Sequence, residues 1–531
     1  MSSPNKIVSI LVFFIPALLV QSFSAELALA NDIQSKNGIS NSNLRIKTQN
    51  DADRRITEDS PFSWDMVGDD IDGEKINDHS GFSVDMSSNG KRVIIGAPDT
   101  DFSSGQARIY EEKDEGEWVQ VGDAIDGEFM SDASGESVGI SADGKRVIIG
   151  ADGNDGNGDR AGHARVFEEL DGIWKQVGND LDGEFADDRS GRSVSISSDG
   201  KRVIIGAHNN GDHEFLSGHA RIFEEANGEW LQIGDDIDGK SDRERFGFSV
   251  SMNMDGKRVV VSNKTPGEVR VYEEKNNTWF QVGYDILSEE ENDGSGESVG
   301  ISDDGKRVVI GAPKNDNNGD NSGNARIFEE VNGEWNKVGE NIVGEASGDY
   351  SGASVDMSSD GKRVIIGAML NDGNNGSSSG HARVFEEENG AWVQMGSDID
   401  GEMMGAKSGC SVGMSSDGTR LIVGAYKNDG SKEASGHARV FELQYPPPTP
   451  TPSIFKATPP PVSNVLQPED MVDDSSRPGV IIYSSIAAVV VVAIALFVFR
   501  KHKRESAKLT RDRMREATNS FRTEDRYSLS P

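Results

Sequence analysis

Asp155-Gly156-Asn157-Gly158-Asp159 and Asp316-Asn317-Asn318-Gly319-Asp320 set carboxylate and carboxamide oxygens at alternate positions. Hard oxygen ligands in that rhythm open a calcium loop, so Asp155, Asn157, Asp159, Asp316, Asn318 and Asp320 are candidate calcium ligands. Neither stretch carries the bidentate glutamate that closes an EF-hand, and Asx/Gly-rich loops are also ordinary surface turns. Both readings stand on the sequence, and calcium is the one cofactor it suggests.

Other residue types with chemical potential recur too regularly for a single active site. Asp132, Asp188, Asp242, Asp293 and Asp349 stand just before a Ser-Gly or Phe-Gly pair. A catalytic carboxylate pair belongs to one place in a molecule, so this repetition reads as structure. No non-repeating acid or base cluster is visible for a shared centre. His163, His219, His381 and His437 recur in Gly-His-Ala-Arg. One per repeat spreads them apart, so convergence on a single zinc ion is not expected. Arg108, Arg165, Arg221, Arg270, Arg326, Arg383 and Arg439 are followed by Glu-Glu in six copies. With arginines such as Arg146 and Arg202 they predict cross-strand ion pairs on a sheet surface. Cys410 is the single cysteine, in a position held elsewhere by Phe, Glu, Arg or Ala, and is expected as a packed small residue. No Ser-His-Asp, phosphate-loop or dinucleotide signature occurs, so an enzyme is not expected. Sequons at Asn263, Asn276 and Asn375 predict an exposed, glycosylated surface.

The elements that hold these residues form a sevenfold repeat. All seven tryptophans (Trp64, Trp118, Trp174, Trp230, Trp279, Trp335 and Trp392) occupy one repeat position, at steps of 54, 56, 56, 49, 56 and 57 residues. Each opens a short run such as Trp118 to Gly122. There follow Ser137 to Ser141, an Asx-Gly turn, the apolar run Arg146 to Ala151, a loop, and Ala164 to Glu169. Four short β-branched or alternating runs between glycine-rich turns predict a four-stranded meander. Asn89-Gly90, Asp143-Gly144, Asp199-Gly200, Asp255-Gly256, Asp304-Gly305, Asp360-Gly361 and Asp417-Gly418 predict two-residue type I′ hairpins. Four-stranded units at this period predict an all-β fold, a seven-bladed β-propeller over 61–444. Trp64 to Gly68 should complete the seventh blade and close the ring.

Phe246-Gly247-Phe248-Ser249-Val250, Val93-Ile94-Ile95-Gly96-Ala97-Pro98 and the repeated Gly-x-Ala-Arg-Val-Phe resemble FG-GAP repeats, the units of the integrin α propeller. The Trp-x-Gln-Val-Gly opening is more similar still to the bacterial and algal branch of that family. The resemblance spans Pro61 to Leu443. It implies an extracytoplasmic propeller used for adhesion or ligand binding. This chain departs from the family by reading Ser-Gly in most copies of Phe-Gly. An Asx-Gly hairpin also stands where integrins carry a calcium loop.

The ends predict topology. Residues 1–30 read as a signal peptide, with Lys6, an apolar Ile7 to Val20 and a small-residue site near Ala30. Residues 31–60 are polar and patternless, which predicts a flexible lead-in. Residues 445–478 are proline-dense, which predicts a stiff stalk. Gly479 to Phe499 is a 21-residue uncharged run followed by Arg500-Lys501-His502-Lys503-Arg504, which predicts a transmembrane helix with a cytoplasmic tail over 500–531. A single-pass type I protein of the plasma membrane, or of a secretory compartment's lumenal membrane, follows. The net charge is −36, and the tail, with ten Lys/Arg against five Asp/Glu, leaves about −41 elsewhere. That balance disfavours nucleic acid or anionic lipid as a partner and suits cations or basic surfaces; fold and topology together point to an extracellular protein or glycan ligand. Two alternatives are an acidic structural protein binding matrix polysaccharide, mineral or polycation, and a membrane-tethered hydrolase or lyase.

Overall fold

The computed structural model describes residues 61–211 and 213–446. The expected signal peptide, lead-in, transmembrane run and tail lie outside these residues, as does nearly all of the stalk. Among the described residues no helix is long and apolar enough to cross a membrane.

Seven antiparallel sheets of four principal strands form the described structure. In the first, the inner strand Ser83–Met86 pairs with Arg92–Ala97, which pairs with Gln106–Glu112, which pairs with the tryptophan strand Trp118–Gln120. In the seventh, Ser411–Met414, Arg420–Ala425 and His437–Gln444 come from the C-terminal end, and the outer strand is Ser63–Met66. The register Ser63↔Gln444 to Met66↔Phe441 joins the two ends of the propeller in one sheet, as the phase of the repeats requires. Six sheets add a two-residue strand such as Leu181–Asp182, which pairs with the start of the third strand.

The second strands are apolar on both faces because each lies between two neighbouring blades. Ile94 of the first blade packs with Val138, Val147 and Ile149 of the second, and Ile148 of the second with Val194 and Val203 of the third. Close approach also fixes glycine here. A Cβ on Gly150 would overlap the Gly191 carbonyl of the next blade. Every tryptophan indole donates to a backbone carbonyl of the preceding blade, from Trp118 to Val67 O at 2.8 Å round to Trp64 and Met395 O at 2.8 Å. Near the axis, the turn amides link blade to blade: Ser88 to Ala142, Ala142 to Ser198, Ser359 to Ser416, and Ser416 back to Ser88.

Three expectations need correction. The Asx-Gly turns are not type I′, because only the glycine adopts positive φ (Gly90 at 65°). Gly90 N donates to Ser87 O and Ser87 N to Arg92 O, which makes a four-residue loop. The Asx oxygen serves as a cap, with Asn89 Oδ1 accepting from Lys91 N at 2.9 Å.

The Gly-x-Ala-Arg arginines are not on the surface. Arg165 is 6% exposed, donates to Asp126 O at 2.7 Å and stacks over Phe167. The third strand is covered on both faces, so alternation gave no sign of this. Surface ion pairs do form from the other arginines. Arg146 meets Glu168 across the strands at 3.2 Å and Glu225 of the next blade at 3.4 Å.

Asp132 and Asp188 are buried turn caps, as repetition suggested: Asp132 Oδ2 accepts from Phe129 N at 2.8 Å. In the fourth blade the cap is Glu244, whose Oε2 accepts from Ser241 N, while Asp242 is exposed.

Candidate functional site

Antiparallel connectivity gives each blade two unlike ends. The Asx-Gly hairpins and the turns into the tryptophan strands share one end, with exposed Lys91, Lys145, Lys201, Lys257, Lys306 and Lys362. The loops before the third strands share the other end with the connections that run from each outer strand to the next inner strand. Phe102, Phe129, Met130, Phe185, Phe215 and Met404 are all more than half exposed, and all lie on these loops or connections. Ile173 and Met254 are likewise exposed at the hairpin end, but the exposed loop phenylalanines Phe102, Phe129, Phe185 and Phe215 all lie at the loop-bearing end.

The two candidate calcium loops lie at this loop-bearing end, and their six residues are exposed. Asp155 Oδ1 accepts from Arg160 N at 2.9 Å, and Asp316 Oδ1 from Asn321 N at 2.8 Å. Asn157 and Asn318 donate to the connection that leads out of their own blade, to Gly183 O at 2.8 Å and Gly344 O at 2.9 Å. These four side chains shape the loops and hold them to that connection. The flanking Asp159 and Asp320 accept through their backbone carbonyls, from Asp187 N and Gly348 N.

The four recurrent histidines are indeed one per blade, yet each meets carboxylates within its own blade and the connection before it. The ladder His163↔Asp182 sets the imidazole beside the short fourth-strand extension, and the preceding connection supplies Glu128. Ligand atoms of Glu128, His163 and Asp180 lie within 4.8 Å of one another, as do those of Glu184, His219 and Asp236, of Glu345, His381 and Asp398, and of Asp70, Asp72 and His437. Burial and the adjacent Arg165 push the His163 imidazole down to about 4, and burial with Arg383 pushes His381 to about 3. Burial, followed by the Asp180 charge, raises the Glu128 carboxyl, which marks a crowd of negative charge.

Residues 289–328, from the approach to the fifth blade's inner strand into its third strand, match the FG-GAP repeat family. The match and the seven-bladed ring together support an FG-GAP β-propeller protein. The other six blades repeat the four-strand order of the matched one round the ring from Ser63 to Gln444. No curated protein sequence matches the chain. Among solved structures, it is similar to a candidate 6-phosphogluconolactonase from Bacteroides uniformis at 14% identity and TM-score 0.46, covering 63% of this chain and 88% of that one. A second such protein from Bacteroides fragilis shows 16% identity and TM-score 0.42, covering 60% and 84%. Hydrazine synthase from Kuenenia stuttgartiensis shows 14% identity and TM-score 0.43, covering 71% and 97%.

The FG-GAP propeller also holds features that the sequence did not announce. At the inner-strand position nearest the axis, five blades carry Gly139, Ser195, Ser251, Gly300 and Gly413, but the first and sixth carry Asp85 and Asp356. The expectation that no non-repeating acidic pair exists is therefore overturned. Each carboxylate bridges to the next blade, Asp85 Oδ2 accepting from Ile140 N at 2.9 Å and Asp356 Oδ2 from Met414 N at 2.7 Å. Burial pushes Asp85 up to about 6, and burial together with the Asp85 charge pushes Asp356 up to about 7. The Cys410 thiol, held near Gly81 O and Gly424 O, is pushed by burial to about 11, too high for a nucleophile.

Among the sequons, Asn276 and Asn375 are exposed, although Asn375 Nδ2 donates to Gly401 O. Asn263 is not available to a glycan. It is fully buried, with Nδ2 donating to Glu244 and Oδ1 accepting from Gly267 N and Glu268 N.

Proposed function

We propose that the FG-GAP propeller is a non-catalytic recognition head that binds an extracytoplasmic protein or glycan through its loop-bearing end, displayed by a type I membrane anchor. The observation that carries this reading is the gathering of Phe102, Phe129, Met130, Phe185, Phe215 and Met404 on that end, while the opposite end is lined with lysines and arginine–glutamate pairs. Aromatic and methionine side chains set among polar loops are the common composition of a binding surface.

The test compares two sets of substitutions in the head, residues 61–446. Phe102→Ser with Met130→Ser and Phe215→Ser should reduce binding to immobilised extracellular proteins and glycans at least about tenfold, a loss of roughly 1.4 kcal/mol. Lys145→Ser with Lys201→Ser and Lys306→Ser should leave the same interactions intact. Equal binding by both variants, or loss only in the lysine set, would place recognition elsewhere. The anchor has its own test. In sealed vesicles, a tag after Pro531 should be digested from the cytoplasmic side while the head stays protected; a protected tag refutes the orientation.

A further inference from the structure

The four histidine–carboxylate groups differ from the corresponding positions of the other three blades in a way that identifies an occupant. His163, His219, His381 and His437 are at most 1% exposed, and none of their Nε2 atoms has a hydrogen-bond partner in the protein. The Nδ1 atom of His163 is also without one. His163 Nδ1 faces Asp180 Oδ2 and Asp182 Oδ1, each at 4.0 Å. The separation is too long for a hydrogen bond, and a buried polar atom left unpaired is costly. His219 Nδ1 stands 3.4 Å from Asp236 and 3.9 Å from Glu184, and His437 Nδ1 3.4 Å from Asp70 and 3.8 Å from Glu402. Two ligands on one tetrahedral zinc ion stand roughly 3.3 Å apart. A small contraction would bring these atoms to that spacing.

The charge count follows the histidine. The blade of His163 sets Glu128, Asp180 and Asp182 against one guanidinium, Arg165, which leaves two negative charges. The blades of His219, His381 and His437 repeat the same set: Glu184, Asp236 and Asp238 with Arg221; Glu345, Asp398 and Asp400 with Arg383; Glu402, Asp70 and Asp72 with Arg439.

Where the histidine is missing, the surplus is smaller or gone. The first blade has Gln106, with Ala124 in the place of Asp180. The fifth has Asn324 and Asn341, with Val343 in the place of Asp182. In the fourth, Glu268 stands in the histidine position and Lys240 replaces the glutamate, its Nζ 3.0 Å from Asp285. Beside Arg270, that blade thus supplies a second cation where each histidine blade has only its arginine.

We propose that each of the four histidine blades binds one divalent first-row transition-metal ion, with zinc as the representative. The ligands are His163 with Glu128 and Asp180, His219 with Glu184 and Asp236, His381 with Glu345 and Asp398, and His437 with Asp70 and Asp72. Imidazole beside two carboxylates is a donor set for zinc and its neighbours, whereas calcium and magnesium take oxygen alone. The guanidinium behind each glutamate, Arg165 Nη1 at 3.7 Å from Glu128 in the second blade, holds that carboxylate towards the imidazole. The sites share their connections with the loop-bearing face, Glu128 preceding Phe129 and Glu184 preceding Phe185, but their ligands join strand to connection inside each blade.

The test uses the full-length chain, stripped with chelator and titrated with zinc chloride in millimolar calcium, which saturates non-specific acidic surface. Four equivalents of zinc should bind. The zinc K-edge spectrum should show one imidazole nitrogen per ion at roughly 2.0 Å. Each of His163→Gln, His219→Gln, His381→Gln and His437→Gln should remove one equivalent, and the quadruple variant all four. Glutamine already occupies this position as Gln106, so the backbone accommodates it. If calcium displaces the zinc, or a folded quadruple variant retains four equivalents, the assignment is wrong. Should the quadruple variant not fold, the single variants decide: one equivalent lost from each upholds the sites, and four retained in each overturns them.

Discussion

A head that begins at residue 69 should lose its cooperative fold, whereas one that begins at residue 61 should melt like the intact propeller. The shorter chain lacks Ser63–Met66, the outer strand of the seventh blade, and with it the ladder to Glu442 and Leu443. It also loses Trp64, which packs in the cluster around Met395, Val412 and Leu443, and Val67 O, which accepts the Trp118 indole. Trp64 is partly buried, so its loss costs less than the about 3–5 kcal/mol of a fully buried aromatic; with ladder hydrogen bonds of about 1 kcal/mol each, the total is on the order of 5 kcal/mol. The newly bare edge of His437–Gln444 should also promote association. Urea midpoints and light scattering on the two heads measure both effects. Identical melting would mean that the ring does not depend on this strand.

The second large effect is a pH dependence at the axis. Asp85 and Asp356 titrate near 6 and 7 in the fold against 3.8 in the unfolded chain. The folded state therefore retains protons that the unfolded state has released. Stability from this pair is highest below about pH 4, falls as pH rises, and reaches its floor above about pH 7. The charged groups facing the pair are each other and Asp303, all of one sign, so no partner reverses the direction. Both side chains keep some solvent access along the axis, which reduces the effect to on the order of 2 kcal/mol per carboxylate. Asp85→Ser with Asp356→Ser places the residue of the third and fourth blades at both positions. The double variant should lose most of the decline in stability between pH 5 and pH 8, read from urea midpoints. An unchanged decline would assign it to the acidic surface instead.

The ring itself was legible because its markers do not depend on context. Seven tryptophans and seven Asx-Gly pairs at one period set strand number, blade number and the phase of closure, and Trp64 in the last blade follows from that phase. The turn type was not legible, since Asx-Gly serves both a type I′ pair and the longer loop that Ser87 and Arg92 close. The buried arginines were hidden by a strand covered on both faces.

The histidine sites were missed because recurrence was taken as dispersion. Glu128, His163 and Asp180 are distant in sequence and meet only through the pairing of His163 with Asp182. The signal was nevertheless present: histidine occurs in the same four repeats that keep the full acidic set. Asp85 and Asp356 were visible too, as the only departures from Gly or Ser at one repeat position. Their meaning needed the inner strand to be placed at the axis.

The chain leaves the propeller from an interior strand, and this governs how the head bears load. His437–Gln444 lies between Arg420–Ala425 on one side and Ser63–Met66 on the other, with Ile71–Asp72 beside it. Tension applied at residue 446 therefore enters a strand gripped along both edges, and extraction must shear two ladders at once. Had the N-terminal segment provided an interior strand and the C-terminal one the edge, the same pull would unzip hydrogen bonds one pair at a time. The edge strand of the seventh blade instead belongs to the N-terminal side, which a pull on residue 446 does not load directly. Force applied at residue 446 is thus resisted by two ladders at once.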